Sequence, residues 1–282
     1  MPNVRAGDIR LHYVQHGSGP EPLVFIHGYT SSLRNWEELF PLLPPGYTAT
    51  FFDLRGAGES DRPAAGGYNP ASYAADIERA TRELGIETFT LLGHSMGGGT
   101  AMQFAVDYPG RLRRLVLVAP ISSEGIQRVD PELRAMVRSI RHDHELRLRL
   151  AREMVVRPTS DAVLRRRIED ELKWSVEALD EAWEGMLNLR IGDRVAQLRV
   201  PTLMVAGDRD GLREANLADA ARIPDCSLQV FYRVGHEVYG DSPEAFMALV
   251  DDFCRHGAGG AMTLERRREL MTGLMREEAA AH

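Results

Sequence analysis

Short apolar runs alternate with stretches of helical period along the first 120 residues. Pro22–His27 (PLVFIH), Thr48–Leu54 (TATFFDL), Thr88–Gly93 (TFTLLG) and Leu112–Ala119 (LRRLVLVA) are too short for helices and stop at turns, so they are expected to be buried strands. Arg10–Val14 is expected to be a short edge strand. Ser72–Leu84 carries Tyr73, Ile77, Ala80 and Leu84 at helical spacing and stops at Gly85. Met96–Tyr108 repeats the pattern through Met102, Ala105 and Val106 until Pro109-Gly110 breaks it. Strands apolar on both faces, alternating with helices, predict an α/β fold: a mostly parallel sheet flanked by helices.

The rhythm stops near Pro120. Glu124–Ala196 holds 14 basic and 15 acidic residues in 73 positions, a nearly neutral, densely charged stretch read as solvated and salt-bridged helix faces. A helix over Pro131–Val156 is expected to end at Pro158. A second helical stretch, behind a cap at Thr159 or Ser160, carries Leu164, Ile168, Leu172, Leu179, Trp183 and Met186. The rhythm then resumes with strands at Val200–Ala206 and Ser227–Val234 and helices at Glu214–Ile223 and Pro243–Cys254. The organisation expected is therefore a core over 1–120, a helical cap insertion over 121–196, the rest of the core over 197–257, and a tail helix over 258–282 behind the GAGG linker. That amphipathic tail has two destinations, the chain's own core or a partner subunit. A homodimer through the cap or the tail helix is the protein partner considered.

Composition narrows the function. An apolar share of 44% excludes a disordered chain, and a formal charge of −7 argues against a nucleic-acid surface. The basic residues are 33 Arg and the single Lys173, interspersed with acids, which reads as coding bias. Two cysteines, Cys226 and Cys254, make no disulfide framework, and the first residues lack an apolar leader. With no apolar run long enough to span a bilayer, a cytoplasmic chain without membrane contact is expected.

The sharpest local feature is Gly93-His94-Ser95-Met96-Gly97, between an expected strand and an expected helix. G-x-S-x-G in that context turns the chain sharply and exposes the serine hydroxyl at the tip, making Ser95 the candidate nucleophile. A serine needs a base to take its proton. Of nine histidines, His12 and His16 precede the first buried strand, His142 and His144 sit in the charged insertion, and His256 and His282 lie at tail boundaries. His94 is expected to pack below the turn. His236 follows the last expected strand, at the sheet edge where ligands bind, and is the candidate base. Its orienting carboxylate comes from Gly207-Asp208-Arg209-Asp210-Gly211; Asp210 lies far enough past the strand to reach His236, whereas Asp208 is placed to bond nearby backbone. Glu124 is a minor alternative. For the oxyanion, the backbone N–H groups of Met96 and, beside Gly28, of Tyr29 are the candidate donors. Trp174, Trp183 and Met186 are tentative pocket residues, with helix packing the competing role. No metal or organic cofactor is called for, and a small-molecule substrate is the expected ligand.

Together, His27-Gly28-Tyr29, Asp53–Ser60 (DLRGAGES), GHSMGG at 93–98, GDRD at 207–210 and Gly235-His236 with SPEAF resemble the α/β-hydrolase superfamily in order and spacing over residues 8–255. The resemblance implies a helical cap over the pocket and a serine hydrolase acting on a carboxylic ester or lactone. It also leaves room for carbon–carbon bond hydrolases of vinylogous diketones, for cofactor-free haloperoxidases or perhydrolases, and for a ligand receptor on the same fold. Dehalogenases and epoxide hydrolases of this fold carry Asp where Ser95 stands.

Overall fold

The computed structural model describes residues 2–126 and 131–257. Its eight strands lie in the order β1-β2-β4-β3-β5-β6-β7-β8. β1 (Asn3–Ala6) pairs antiparallel with β2 (Ile9–Gly17), and β2 pairs antiparallel with β4 (Tyr47–Phe52). From β4 onward, β3 (Glu21–Ile26), β5 (Phe89–His94), β6 (Leu112–Val118), β7 (Thr202–Gly207) and β8 (Cys226–Phe231) add in parallel. The segment expected at the edge is therefore longer and one place further in. Its first half pairs with β1 and its second with β4, while β1 is too short for its alternation of Val4 and Ala6 to stand out.

The central strands are apolar throughout because both faces are covered. Val24, Ile26, Leu91, Leu115 and Leu117 face a layer built from α1 (Pro70–Glu83) and α2 (Met96–Asp107). Phe25, Leu92, Val116, Val118 and Val205 face the opposite layer, made by a 3₁₀ segment over Leu33–Leu42 and the helix over Pro243–His256. Asn69 caps α1 by accepting from the Ser72 N–H at 3.1 Å, with Pro70 in the first turn.

Between β6 and β7 the chain forms α3 (Pro131–Ser139), α4 (His144–Met154), α5 (Asp161–Leu172), α6 (Val176–Leu187) and the short α7 (Gly192–Val195). The single helix expected over Pro131–Val156 is in fact two. Asp143 accepts from the Leu146 N–H at 2.9 Å and so starts a new helix where a continuous one would hold it as an interior residue. Likewise Ser160 caps α5, as expected, but Ser175 caps a separate α6. The remaining helices are α8 (Arg213–Arg222), α9 (Val238–Asp241) and α10 (Pro243–His256). The expected tail helix lies outside the described residues. No described helix is long and apolar enough to cross a membrane.

Two buried features fix how the layers meet. The Asp53 carboxylate, at the end of β4, accepts from the N–H groups of Leu33 (2.8 Å) and Glu59 (2.9 Å) and bonds His12 Nδ1 at 2.8 Å. Burial pushes this carboxyl up, but the His12 bond and the two amides outweigh it and hold it below its ordinary value. Second, α2 passes the end of β3 so closely that a Cβ at Gly97 would lie 2.4 Å from the His27 carbonyl oxygen and 2.6 Å from that of Ile26.

Asp53→Asn keeps one acceptor oxygen and loses the charge, and is expected to cost about 2 kcal/mol at neutral pH. The wild-type contribution is complete above the ordinary carboxylate range and is lost as pH falls through the depressed folded-state value. The variant should therefore lose less stability than wild type between neutrality and about pH 3, read from urea midpoints. Gly97→Ala is expected to lose at least about 3 kcal/mol or fail to fold, because backbone cannot yield to the new methyl. Gly110→Ala, with no atom within 4 Å of its Cβ position, should be nearly neutral in the same assay.

Candidate active site

The turn from β5 into α2 holds Ser95 at φ 53° and ψ −116°, a strained backbone for a residue with a side chain. Its N–H donates to the Val118 carbonyl at 3.0 Å, and its own carbonyl accepts from Ile121 and Gly99, both at 3.1 Å. The strain is thus sustained by β6 on one side and by α2 on the other. Gly93 is required too, since a Cβ there would lie 2.2 Å from the Gly97 carbonyl oxygen. Met96 opens α2, so its N–H has no acceptor within the helix and sits at the positive end of the helix dipole.

The loop after β3 is shaped by His27. Its Nε2 accepts from the Leu54 N–H at 3.1 Å, which leaves the proton on Nδ1 to donate to the Gly28 carbonyl at 2.8 Å. Burial lowers the His27 value, so the neutral ring needed for this pairing is favoured. A Cβ at Gly28 would lie 3.2 Å from the Ser95 Cβ and 3.0 Å from His94 Nδ1, so a side chain here would press on both and glycine eases the close approach of the two loops. The Tyr29 hydroxyl donates to the Leu179 carbonyl of α6 at 3.0 Å.

The loops after β7 and β8 interlock. A Cβ at Gly207 would sit 2.2 Å from the Gly235 carbonyl oxygen, and Asp208 Oδ1 accepts from the Val234 N–H at 3.1 Å. Asp208 thus holds the backbone of the neighbouring loop. Asp210, with only 3% of its side chain exposed, reaches His236 Nδ1 at 3.0 Å and accepts from the Leu212 N–H at 3.0 Å. With its Nδ1 proton given to a carboxylate, the His236 ring presents a lone pair at Nε2. Glu124 lies elsewhere, paired with Arg222 at 2.9 Å.

Ser95, Asp210, His236 and Tyr29 border one cavity of about 570 Å³. Among the described residues no hydrogen bond joins Ser95 Oγ to His236, whose Nδ1 is engaged by Asp210. His94, expected to pack below the turn, lies against His236: its Nε2 is 3.1 Å from the His236 carbonyl oxygen and the rings are 4.7 Å apart. It also borders the cavity, which the sequence reading did not foresee. Burial, then the neighbouring His236, hold the His94 ring well below the ordinary histidine value. A separate open depression of about 660 Å³ beside β1 and the end of α1 is bordered by Arg5, Asp8, Arg10, Asp61 and Glu83, with no serine, cysteine or histidine in its lining.

The tentative pocket residues are corrected. Trp174 and Met186 are buried in the core cluster, and Trp183 packs against it. The Trp174 Nε1–H donates to the Ser31 carbonyl at 2.9 Å, and the two indoles pack against Tyr29, Trp174 edge-on and Trp183 tilted, behind the cavity wall. The wall itself is supplied by Ile140 and by residues of α4, α5 and their connection: Leu150, Ala151, Val155, Val156, Leu164 and Ile168. Leu164 and Ile168 stood out in the sequence as a helical stripe, but a stripe does not say whether it meets a core or a void. Among the described residues no group of acids, histidines and cysteines is arranged to hold a metal ion.

Known proteins share this framework. Residues 21–160 match the family model described as alpha/beta hydrolase fold. A Pseudomonas putida protein named 2-hydroxy-6-oxononadienedioate/2-hydroxy-6-oxononatrienedioate hydrolase 2 is 31% identical over 273 residues, 88% of this chain and 93% of that protein. The dihydrolipoyllysine-residue acetyltransferase component of the acetoin cleaving system of Cupriavidus necator is 32% identical over 255 residues, 86% of this chain. This chain spans 66% of that protein's length. Among solved structures, an N-acyl homoserine lactone degrading enzyme superposes with a TM-score of 0.76 at 27% identity, covering 89% of this chain and 100% of that one. The chain belongs to the α/β-hydrolase family.

Proposed function

We propose that the chain is a serine hydrolase that cleaves a carboxylic ester or lactone of a small, apolar substrate through an acyl-Ser95 intermediate. The observation that carries this reading is the 3.0 Å bond from Asp210 to His236 on the wall of the cavity into which the strained Ser95 turn projects. In the proposed cycle His236 Nε2 takes the Ser95 proton as Oγ attacks the carbonyl carbon, then returns it to the leaving alcohol. Asp210 fixes the tautomer and stabilises the imidazolium formed on the way. The Met96 and Tyr29 amides are the proposed donors to the oxyanion, where the α2 dipole adds to their effect. Water, activated by the same histidine, then releases the acid. The apolar side chains of α4 and α5 support an apolar acyl arm.

The Pseudomonas putida relative favours a second reading, carbon–carbon bond hydrolysis of a vinylogous diketone by the same three side chains. Mass analysis of products from esters, lactones and vinylogous diketones separates the two.

With a short-chain p-nitrophenyl ester, Ser95→Ala is expected to abolish turnover and labelling by a fluorophosphonate; undiminished turnover would exclude Ser95 as nucleophile. Asp210→Asn should lower kcat on the order of 10⁴-fold with the fold retained, measured beside a circular dichroism spectrum. Ala151→Phe should raise KM for long acyl chains more than for acetyl, and Met186→Leu should shift neither.

A further inference from the structure

Each guanidinium on the cavity wall has a carboxylate within 4 Å. Arg147 of α4 pairs with Glu171 of α5, with 12% and 17% of their side chains exposed. The same guanidinium also donates to the Arg141 carbonyl at 3.2 Å. Beside the reaction centre Arg167 of α5 pairs with the half-buried Glu237, the residue after His236. At the mouth the exposed Arg209 has Asp208 at 3.6 Å. Two further carboxylates of the wall are engaged elsewhere, Asp210 by His236 and Asp241 by the Gly235 N–H at 2.8 Å. Among the described residues, then, three guanidiniums border the cavity against four carboxylates, and the two deeper guanidiniums are each held by an acid in contact. Burial pushes the Glu237 carboxyl up, and its contact with Arg167 works against that push.

An anionic ligand would have to displace one of these acids or lie beside it unpaired. Either is costly in a half-buried site, where like charges are poorly screened. An uncharged arm pays neither penalty and meets Leu150, Val155, Val156, Leu164 and Ile168.

We infer that the cavity selects uncharged acyl groups and rejects those carrying a carboxylate at their far end, with Glu171 setting this selectivity through its hold on Arg147. The inference rests on the cavity being the substrate site, as proposed above, and adds a substrate class to it. Replacing Glu171 by Gln preserves the shape and releases the Arg147 guanidinium on the cavity wall, so the preference should swing toward the anion.

The test is calorimetric binding to full-length Ser95→Ala, using the dimethyl ester of octanedioic acid and its monomethyl half ester. The half ester is expected to bind at least about tenfold more weakly. Adding Glu171→Gln to the same variant should close that gap or reverse it. Equal or tighter binding of the half ester to Ser95→Ala overturns the inference without recourse to the second variant. A ratio unmoved by Glu171→Gln in a folded protein removes Glu171 from the role. Binding needs no turnover, so a protein that keeps this preference yet never hydrolyses an ester refutes only the proposed reaction. An active esterase without the preference refutes only the inference.

Discussion

Most of the site follows from one steric constraint, the crowding of backbone where β5 turns into α2. Gly97 must lie against the carbonyls of Ile26 and His27, and Gly93 against the carbonyl of Gly97, so the ends of β3 and β5 and the start of α2 are drawn together with no room for a methyl. Ser95 takes up the remaining geometry as a positive φ. The energy stored there, about 1–3 kcal/mol for a residue of this kind, is offset by the β6 and α2 hydrogen bonds on either side. The same crowding brings the Gly28–Tyr29 backbone next to the serine, so the proposed nucleophile and oxyanion donors are consequences of one packing event.

The second loop pair works by the same means. Gly207 permits the β7 loop to touch the backbone at Val234 and Gly235, and Asp208 then binds the Val234 amide. With both loops fixed, Asp210 needs only one rotamer to meet His236. The histidines that support these loops act as shape-holding rings: His27 bridges β4 and its own loop, and His94 lies under the His236 carbonyl. Both are buried, and burial favours the uncharged ring that such bridging requires.

What could be read from the sequence was what local backbone chemistry dictates. Glycines at 28, 93 and 97 mark close approaches, and apolar runs between turns mark buried strands, so the fold and the neighbourhood of Ser95, Asp210 and His236 were legible. The short β1 was not, because two apolar positions make no pattern. Nor was the break before α4, where an aspartate in a charged stretch looks the same as a solvated helix face until its side chain is seen bonding Leu146. The cavity wall was the least legible part. Large aromatic residues drew attention to Trp174 and Trp183, yet the helices turn those indoles onto Tyr29, and smaller aliphatic residues line the void.

The helical layer over the cavity is fastened unevenly. α5 is moored to the core by Arg166 to Glu37 at 2.9 Å and by the buried Asp170, which takes Ser32 at 2.8 Å and Arg34 at 3.1 Å. Glu181 of α6 receives the amides of Gly67 and Tyr68 at 2.8 and 2.9 Å. The ion pairs of α4, through Glu145, Arg147 and Arg152, run to α5. The roof is therefore two pieces by its mooring. The α5 share of the lining, Leu164, Arg167, Ile168 and Glu171, belongs mechanically to the floor, and any passage opened by swinging α4 would part the cavity along its own length, like a clasp, with Ser95, Asp210 and His236 left undisturbed.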